Sequence, residues 1–469
     1  MSKPPSNSAE SSFKSQNPLT SAPIPAMLRK IAIPVGIGAF FNTMFNVVDT
    51  IYGGLISDEA LAALSLSFPI FFVIIAIGVG FSSGNSALIG NALGRGDREE
   101  GERLAIQGII FGFLISAVVS LLILSTSAPL VRFLGATDPE FQADTLAYIN
   151  PIYGGMIFFI TVQMLNSTLV PLGKTVPSRN FLVSGFFLNL ALDPWFIFGG
   201  FGLPAMGITG IALATILIQF LGCLYLGFEV SRSGLITAAG LRKYFKLDFG
   251  LIRQIAGQGI PIFIDLMALT FGFFAVTWFV SQFGQKAIAA YGAAGRIEQL
   301  ALLPLIGIDV ATLALVAQNN GANLPARIHE TVRTAAKYGM LIMLIMGLLV
   351  FIFAWPIMTL FTQDPEILTT GVSFIRIRSL ALIPNALFFA SSAAMRGIKR
   401  PILPLILNYS RFVVLPIILI VIFVMMLNYG VTAIWWATMA SVVAGSLVSW
   451  VLTQRSLPAV DIQTSSSKI

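Results

Sequence analysis

Two aspartates stand inside long apolar runs: Asp49 in "FFNTMFNVVDTIYGG" (40–54) and Asp193 in "NLALDPWFIFGG" (189–200). An isolated carboxylate held away from water is costly, so each needs a proton, a cation or converging donors. Asn189 lies four residues before Asp193 and shares its helical face. Pro194 cannot donate to the carbonyl of Leu190, which leaves an acceptor one turn away. Thr215 follows the tight loop "GGFGLPAMG" (199–207) and can return to the same depth. Two carboxylates close together cannot both ionise cheaply. Asp49, Asn189, Asp193 and Thr215 are therefore expected to form a cation-responsive site. It would take a proton or, through the oxygens of Asn189, Asp193 and Thr215, Na⁺. Asn46, Asn166, Met164, Phe158 and Phe159 are expected along a pathway for a larger substrate, because Met-rich and aromatic surfaces suit varied apolar ligands. Asp265, four residues after Pro261, is a separate candidate on that pathway, and Pro34, fifteen residues before Asp49, is a candidate hinge. Asp309, and Glu298 beside Arg296, read as neutralised pairs, and His329 as a solvated loop residue.

The elements that position these groups must cross a bilayer. Hydrophobic residues make up 56% of the chain and charged residues only 10%, with a mean hydropathy of +0.86. A soluble chain carries about a quarter charged residues, so composition makes this an integral membrane protein, and its apolar runs of span length make it all-α. Apolar runs bounded by charge or turn signals predict twelve transmembrane helices, at about 28–55, 60–90, 104–126, 144–172, 176–200, 206–230, 251–282, 287–318, 332–356, 370–395, 401–427 and 431–454. Basic residues number 22 on one side of these spans, whereas the other side holds only Arg132 and Lys286. The positive-inside rule then puts both termini in the cytoplasm, with the plasma (inner) membrane as the location. Arg296, Arg376, Arg378 and Arg411 fall within spans and need partners, water or a headgroup. The net charge of +7 thus reflects loop topology, not a nucleic-acid partner.

Residues 1–26, rich in Ser, Pro and Asn, are expected to be a disordered cytoplasmic tail, 231–250 a cytoplasmic linker and 456–469 a second tail. Between them lie an amino-terminal lobe (27–230) and a carboxy-terminal lobe (251–455) of six spans each. The lone cysteine, Cys223, permits no intrachain disulfide. No GxxxxGK[ST] phosphate loop and no HExxH pair is present. The sequence therefore indicates no cofactor and no enzyme chemistry, and pumping would draw on an ion gradient.

The two lobes repeat each other. "LRKIAIP" (28–34) matches "LIRQIAGQGIP" (251–261), "FLGATDPE" (133–140) matches "LFTQDPE" (360–366), and "GITGIALAT" (207–215) matches "GVTAIWWAT" (430–438). Six spans per lobe is an even number, so the repeats should be related by an axis along the membrane normal. In the second repeat Asn189 is replaced by Arg411, Asp193 by Leu415, and Asp49 by apolar sequence around Val276. The ionisable chemistry belongs to the first repeat.

From about residue 27 to 454 the chain resembles the multidrug and toxic compound extrusion (MATE) family, through "NVVDTIYGG" (46–54), "GNALGRGDREE" (90–100), "PLGKTVP" (171–177) and "LNLALDPWFIFGGFG" (188–202). The resemblance implies a V-shaped pair of lobes and a cation-coupled antiporter of the DinF-like branch. Its coupling residues would be Asp49, Asn189, Asp193 and Thr215, and its hinge Pro34. It further implies export of organic cations or amphipathic drugs by a monomer among membrane lipids, with protons placed ahead of Na⁺ as the coupling ion. Another branch of the family has a glutamate in the seventh span, and Asp265 lies in that region. The alternatives are a flippase for lipid-linked oligosaccharide, with the four intramembrane arginines available to its cavity, and an ion channel.

Overall fold

The computed structural model describes residues 17–460. The membrane-spanning elements are α1 (Ile24–Ile56), α2 (Asp58–Arg95), α3 (Arg98–Phe133), α4 (Pro139–Leu169), α5 (Val176–Phe198), α6 (Ile208–Ser233), α7 (Phe249–Ser281), α8 (Gln285–Gly321) and α9 (Pro325–Ile352). They continue with α10 (Pro365–Ser379), α11 (Leu382–Gly397), α12 (Ile402–Met426) and α13 (Thr432–Ser456). All except α10 and α11 are individually long and apolar enough to cross a membrane; those two, bent by 51° at their junction, make the twelfth span. The expected 370–395 span is this bent pair. In α12, Ser410–Val414 and Val421–Met426 are wound as π-helix around Pro416, whose ring forbids the regular bond to Phe412.

Local chemistry explains where the helices begin. The two "DPE" repeats are helix starts: Asp138 accepts from the Phe141 amide, Asp364 accepts from the Glu366 and Ile367 amides, and Pro139 and Pro365 fill the first helical positions. Between α5 and α6 the chain turns through Gly199, Gly200, Gly202 and Gly207, with φ of 76°, 124°, 90° and 56°. Side-chain-bearing residues seldom adopt such values, although Phe201 among them does at φ 50°, so four of the loop's turning positions are taken by glycine.

The described chain divides into two compact bodies, and the division does not follow the linear lobes expected at 27–230 and 251–455. One body contains the chain up to Gly36, Gly90–Asp97 and everything from Ile264 on; the other contains Ile37–Ile89 and Arg98–Phe263. In the first body the opening turns of α1 lie on α8, where a Cβ on Gly307 would fall 3.1 Å from the Ala32 carbonyl carbon and 3.2 Å from the Gly36 nitrogen. In the second body the opening turns of α7 lie on α2, where a Cβ on Gly80 would fall 2.8 Å from the Phe263 nitrogen and 3.0 Å from the Gly259 oxygen. Gly80 and Gly307 are separated by the same sequence interval as Gly259 and Ala32, and as Phe263 and Gly36. Each repeat has therefore handed the first part of its first helix to the other repeat's second helix. Small residues permit this backbone-to-backbone approach. A third crossing, in the first body, is reciprocal: Gly94 abuts the Gln318 backbone and Gly321 abuts the Asn91 backbone, with Asn320 Nδ2 donating to Asn91 Oδ1 over 2.6 Å.

The expected tails at 1–16 and 461–469 lie outside the described residues. Residues 17–26 correct the expected disorder: Pro18–Ser21 is a helical turn, and Leu19 and Ile24 are buried. Asn17 donates to Gln318, Asn319 donates to the Leu19 carbonyl, and Arg327 donates to the Ala22 carbonyl over 2.7 Å. Composition alone missed this segment because its ordering partners lie some 300 residues away. The expected linker is also ordered. Ala238–Tyr244 is helical, and Gln107 of α3 donates to the Tyr244 and Lys246 carbonyls and accepts from the Asp248 amide. Glu102 holds Thr237, and Arg103 pairs with Asp248 at 2.9 Å. Gln107→Ala removes three of these bonds, so trypsin cleavage at Arg242, Lys243 and Lys246 should accelerate ~10-fold in detergent. An unchanged digestion rate would show that Gln107 does not hold the segment.

Candidate functional site

The second body contains a buried polar group built from three helix ends. Asp49 lies seven residues before the end of α1, Asp193 five before the end of α5, and Thr215 seven after the start of α6. At 1.5 Å per residue these positions are ~11, ~8 and ~11 Å along their helices from the same side. The glycine loop sets this match by returning α6 against α5, where a Cβ on Gly210 would lie 2.7 Å from the Phe196 backbone. Asn189 adds its side chain one turn deeper and donates from Nδ2 to Asp49 Oδ1 over 2.9 Å. Asp49 also faces Asp193 and Thr215. All four are buried, Asn189 and Asp193 completely.

Two carboxylates here face each other without a counter-charge, and no Lys or Arg is buried among the described residues of this body. Both Asp193 oxygens, Asn189 Oδ1 and Thr215 Oγ1 are buried with no hydrogen-bond partner. That donor set suits a proton shared between the carboxylates, or a hard cation of modest size such as Na⁺ held by several oxygens.

Two tyrosines at the site were not foreseen. Tyr148 of α4 lies within electrostatic reach of both carboxylates, and the Tyr52 hydroxyl donates over 3.4 Å to the Leu190 carbonyl that Pro194 releases. Neither has a distinctive sequence signal, since a tyrosine in an apolar span is common and its hydroxyl points according to tertiary packing. The acceptor expected at Leu190 is thus shared with Tyr52.

The other expected site residues lie elsewhere. Asn46 donates to the Asn42 carbonyl of its own helix over 2.8 Å. Met164 and Asn166 lie 16 and 18 residues beyond Tyr148, some ~24 and ~27 Å along α4. Met164 packs on Gly112, and Asn166 Oδ1 is buried without a partner. Phe158 stacks edge-on with Phe220 at 5.3 Å and accepts at its carbonyl from Cys223, and Phe159 packs edge-on with Phe71 at 5.4 Å. Pro34 is buried in a continuous α1, two residues before that helix passes from one body to the other. Asp265 belongs to the first body, where Asn408 donates to its carbonyl over 3.1 Å, and is not part of the four-residue site. Glu298 pairs with Arg378 at 2.5 Å and not with its neighbour Arg296, and Asp309 pairs with Arg396. His329 is not a free loop residue: its Nε2 lies 3.0 Å from the Pro458 carbonyl. Arg411 is held by Asn385 and Ser446. Two of the four intramembrane arginines are therefore committed to internal partners.

Comparison with known proteins follows the same plan. The profile of the MatE family matches residues 34–195 and 261–422, once per repeat. The probable multidrug resistance protein NorM of Thermotoga maritima is 26% identical over 407 residues, covering 85% of this chain and 85% of that protein. The FAD transporter of Shewanella oneidensis is 25% identical over 409 residues, covering 86% and 89%. A MOP superfamily transporter from Pyrococcus furiosus has a similar fold, with a TM-score of 0.87 at 23% identity over 93% of this chain and 97% of that one.

Proposed function

Since the chain belongs to the MATE family of membrane transporters, we propose that it is a cation-coupled antiporter exporting amphipathic or cationic organic compounds, with the proton as its coupling ion. The supporting observation is the buried Asp49–Asp193 pair, which has no buried basic partner among the described residues of its body. A proton entering from outside settles between the two carboxylates, and a cationic substrate competes for the same negative charge. Neutralisation removes the penalty of holding two like charges together and frees Asn189 and Thr215 to re-pair. The first helix then rearranges about Pro34, where it passes between bodies, and substrate leaves. With both termini cytoplasmic, as the charge bias supports, the carboxylates lie ~11 Å from the outer end of α1, on the side from which protons enter. The same orientation fits an inner-membrane location.

The experiment is dye export from proteoliposomes loaded with a fluorescent amphipathic cation, with a pH gradient and a Na⁺ gradient imposed separately. Export driven by the pH gradient alone is expected. Export driven only by Na⁺ replaces the proton by Na⁺ at Asn189, Asp193 and Thr215. No export under either gradient removes this substrate class and makes lipid-linked compounds the next to load.

A further inference from the structure

The segment that joins α6 to α7 is fastened to the start of α3 along most of its length. Arg98 donates to the Gly234 carbonyl, and Glu102 accepts from the amide and hydroxyl of Thr237. Glu99 accepts from Lys243 over 2.9 Å and from the Tyr244 hydroxyl, and Gln107 bonds to the backbone of Tyr244, Lys246 and Asp248. Asp248 pairs with Arg103, so Glu99, Glu102 and Asp248 are all used in fixing the segment. Its depth follows from α3. Gln107 stands 25 residues before Arg132, the basic residue at the far end of that helix, which is ~38 Å at 1.5 Å per residue. A bilayer's hydrocarbon is ~30 Å thick and the whole, with headgroups, ~40–45 Å. The backbone that Gln107 holds is therefore at the level of the headgroups.

Two kinds of side chain are left uncovered there. Leu241, Phe245, Leu247 and Phe249 are exposed, Phe245 to 67% and Phe249 to 77%. Arg242 and Lys246, interleaved with them, are exposed as well, and neither pairs with an acid among the described residues. Four large apolar groups within nine residues make a surface that water disfavours. An anionic lipid surface suits both kinds at once, with rings and aliphatic chains entering the acyl boundary and the cations meeting phosphate oxygens. A soluble protein partner would cover the apolar groups, but it would have to do so at a depth that lipid headgroups already occupy.

We propose that residues 238–249 form an interfacial anchor for anionic phospholipid, in which Leu241, Phe245, Leu247 and Phe249 enter the leaflet and Arg242 and Lys246 hold the headgroup phosphates. The bonds to α3 present this surface as a fixed platform, so little ordering is left for the lipid to impose. Such an anchor requires only a chain that crosses a bilayer, and neither the coupling ion nor the cargo bears on it.

The test places a nitroxide at Phe245→Cys in the full chain, with Cys223→Ser removing the lone native thiol. Its collisions with a water-soluble nickel chelate are measured in vesicles of phosphatidylcholine alone and of phosphatidylcholine mixed equally with phosphatidylglycerol. The label should be ~5-fold or more less accessible in the anionic vesicles, and added salt should shrink that difference. Arg242→Gln together with Lys246→Gln should abolish the difference without lowering the unfolding temperature, because neither side chain takes part in the bonds to α3. Equal accessibility in the two vesicles overturns headgroup binding, and a difference that survives in the double variant overturns the role given to Arg242 and Lys246. Protection that appears only when a cytosolic protein fraction is added overturns the lipid assignment in favour of a protein partner.

Discussion

Asp49→Asn, reconstituted in liposomes under an inward proton gradient, is expected to export a cationic dye at ~1% of the unaltered rate or less, a loss of ~2.7 kcal/mol or more in driving interaction. The amide keeps the shape of the carboxylate and can still accept from Asn189 Nδ2, now at 2.9 Å, so the helix positions are preserved. What disappears is the charge that a proton or a cationic substrate would meet. Asp193→Asn should behave alike, because its two unpartnered oxygens face the same group. Neither variant should unfold earlier. A buried carboxylate without a basic partner costs stability, and neutralising it relieves that cost. The paired readout is therefore export lost with an unfolding temperature equal or higher. Export at ordinary rates in either variant refutes coupling through this pair, and a large drop in unfolding temperature refutes the absence of a compensating charge.

The second large effect concerns the crossing of α1 on α8. In Gly307→Val the new side chain must fit against the Ala32 carbonyl carbon at 3.1 Å and the Gly36 nitrogen at 3.2 Å, and backbone cannot swing away as a flexible side chain does. Overpacking of this kind costs ~1–3 kcal/mol or more. Because the strain falls on the segment that carries Pro34, export should drop ~10-fold or more beyond any loss of folded protein. Gly80→Val, at the equivalent crossing of α7 on α2, should produce a loss of the same order. Gly292→Ala is the control: nothing lies within 4 Å of its added methyl, and export and stability should be unchanged or slightly improved. Equal behaviour of Gly307→Val and Gly292→Ala would mean that the crossing carries no constraint.

Much of this architecture was legible in the residues. Apolar run length marks twelve spans because the bilayer imposes a minimum length on each. The carboxylate cluster was readable because aspartate in an apolar helix is costly enough to demand partners, and the four-residue spacing of Asn189 and Asp193 and the glycine loop before Thr215 already limit where those partners lie. Tyr52 and Tyr148 were not readable, since a phenol is tolerated in many membrane environments and only packing shows where it points. The Ser- and Pro-rich stretch before Ile24 suggested disorder, yet its order comes from Asn319 and Arg327 in a distant helix. The exchanged helix starts were invisible for a related reason. A repeat identifies which residues correspond, but not whether each copy packs on itself or on its twin.

That exchange has a consequence for how the protein is made. Leu19 receives its hydrogen bond from Asn319, 300 residues later in the chain, and the opening turns of α1 find their seat only when α8 has emerged. At a synthesis rate of ~5–20 residues per second, this segment waits ~15–60 s after its own synthesis for its partner. During that interval its binding face is without its permanent occupant, so insertion machinery or a chaperone has a window in which to hold it. A nascent chain released before α8 would leave the opening turns of α1 permanently unseated, with quality-control proteolysis as the expected fate of such a truncated product.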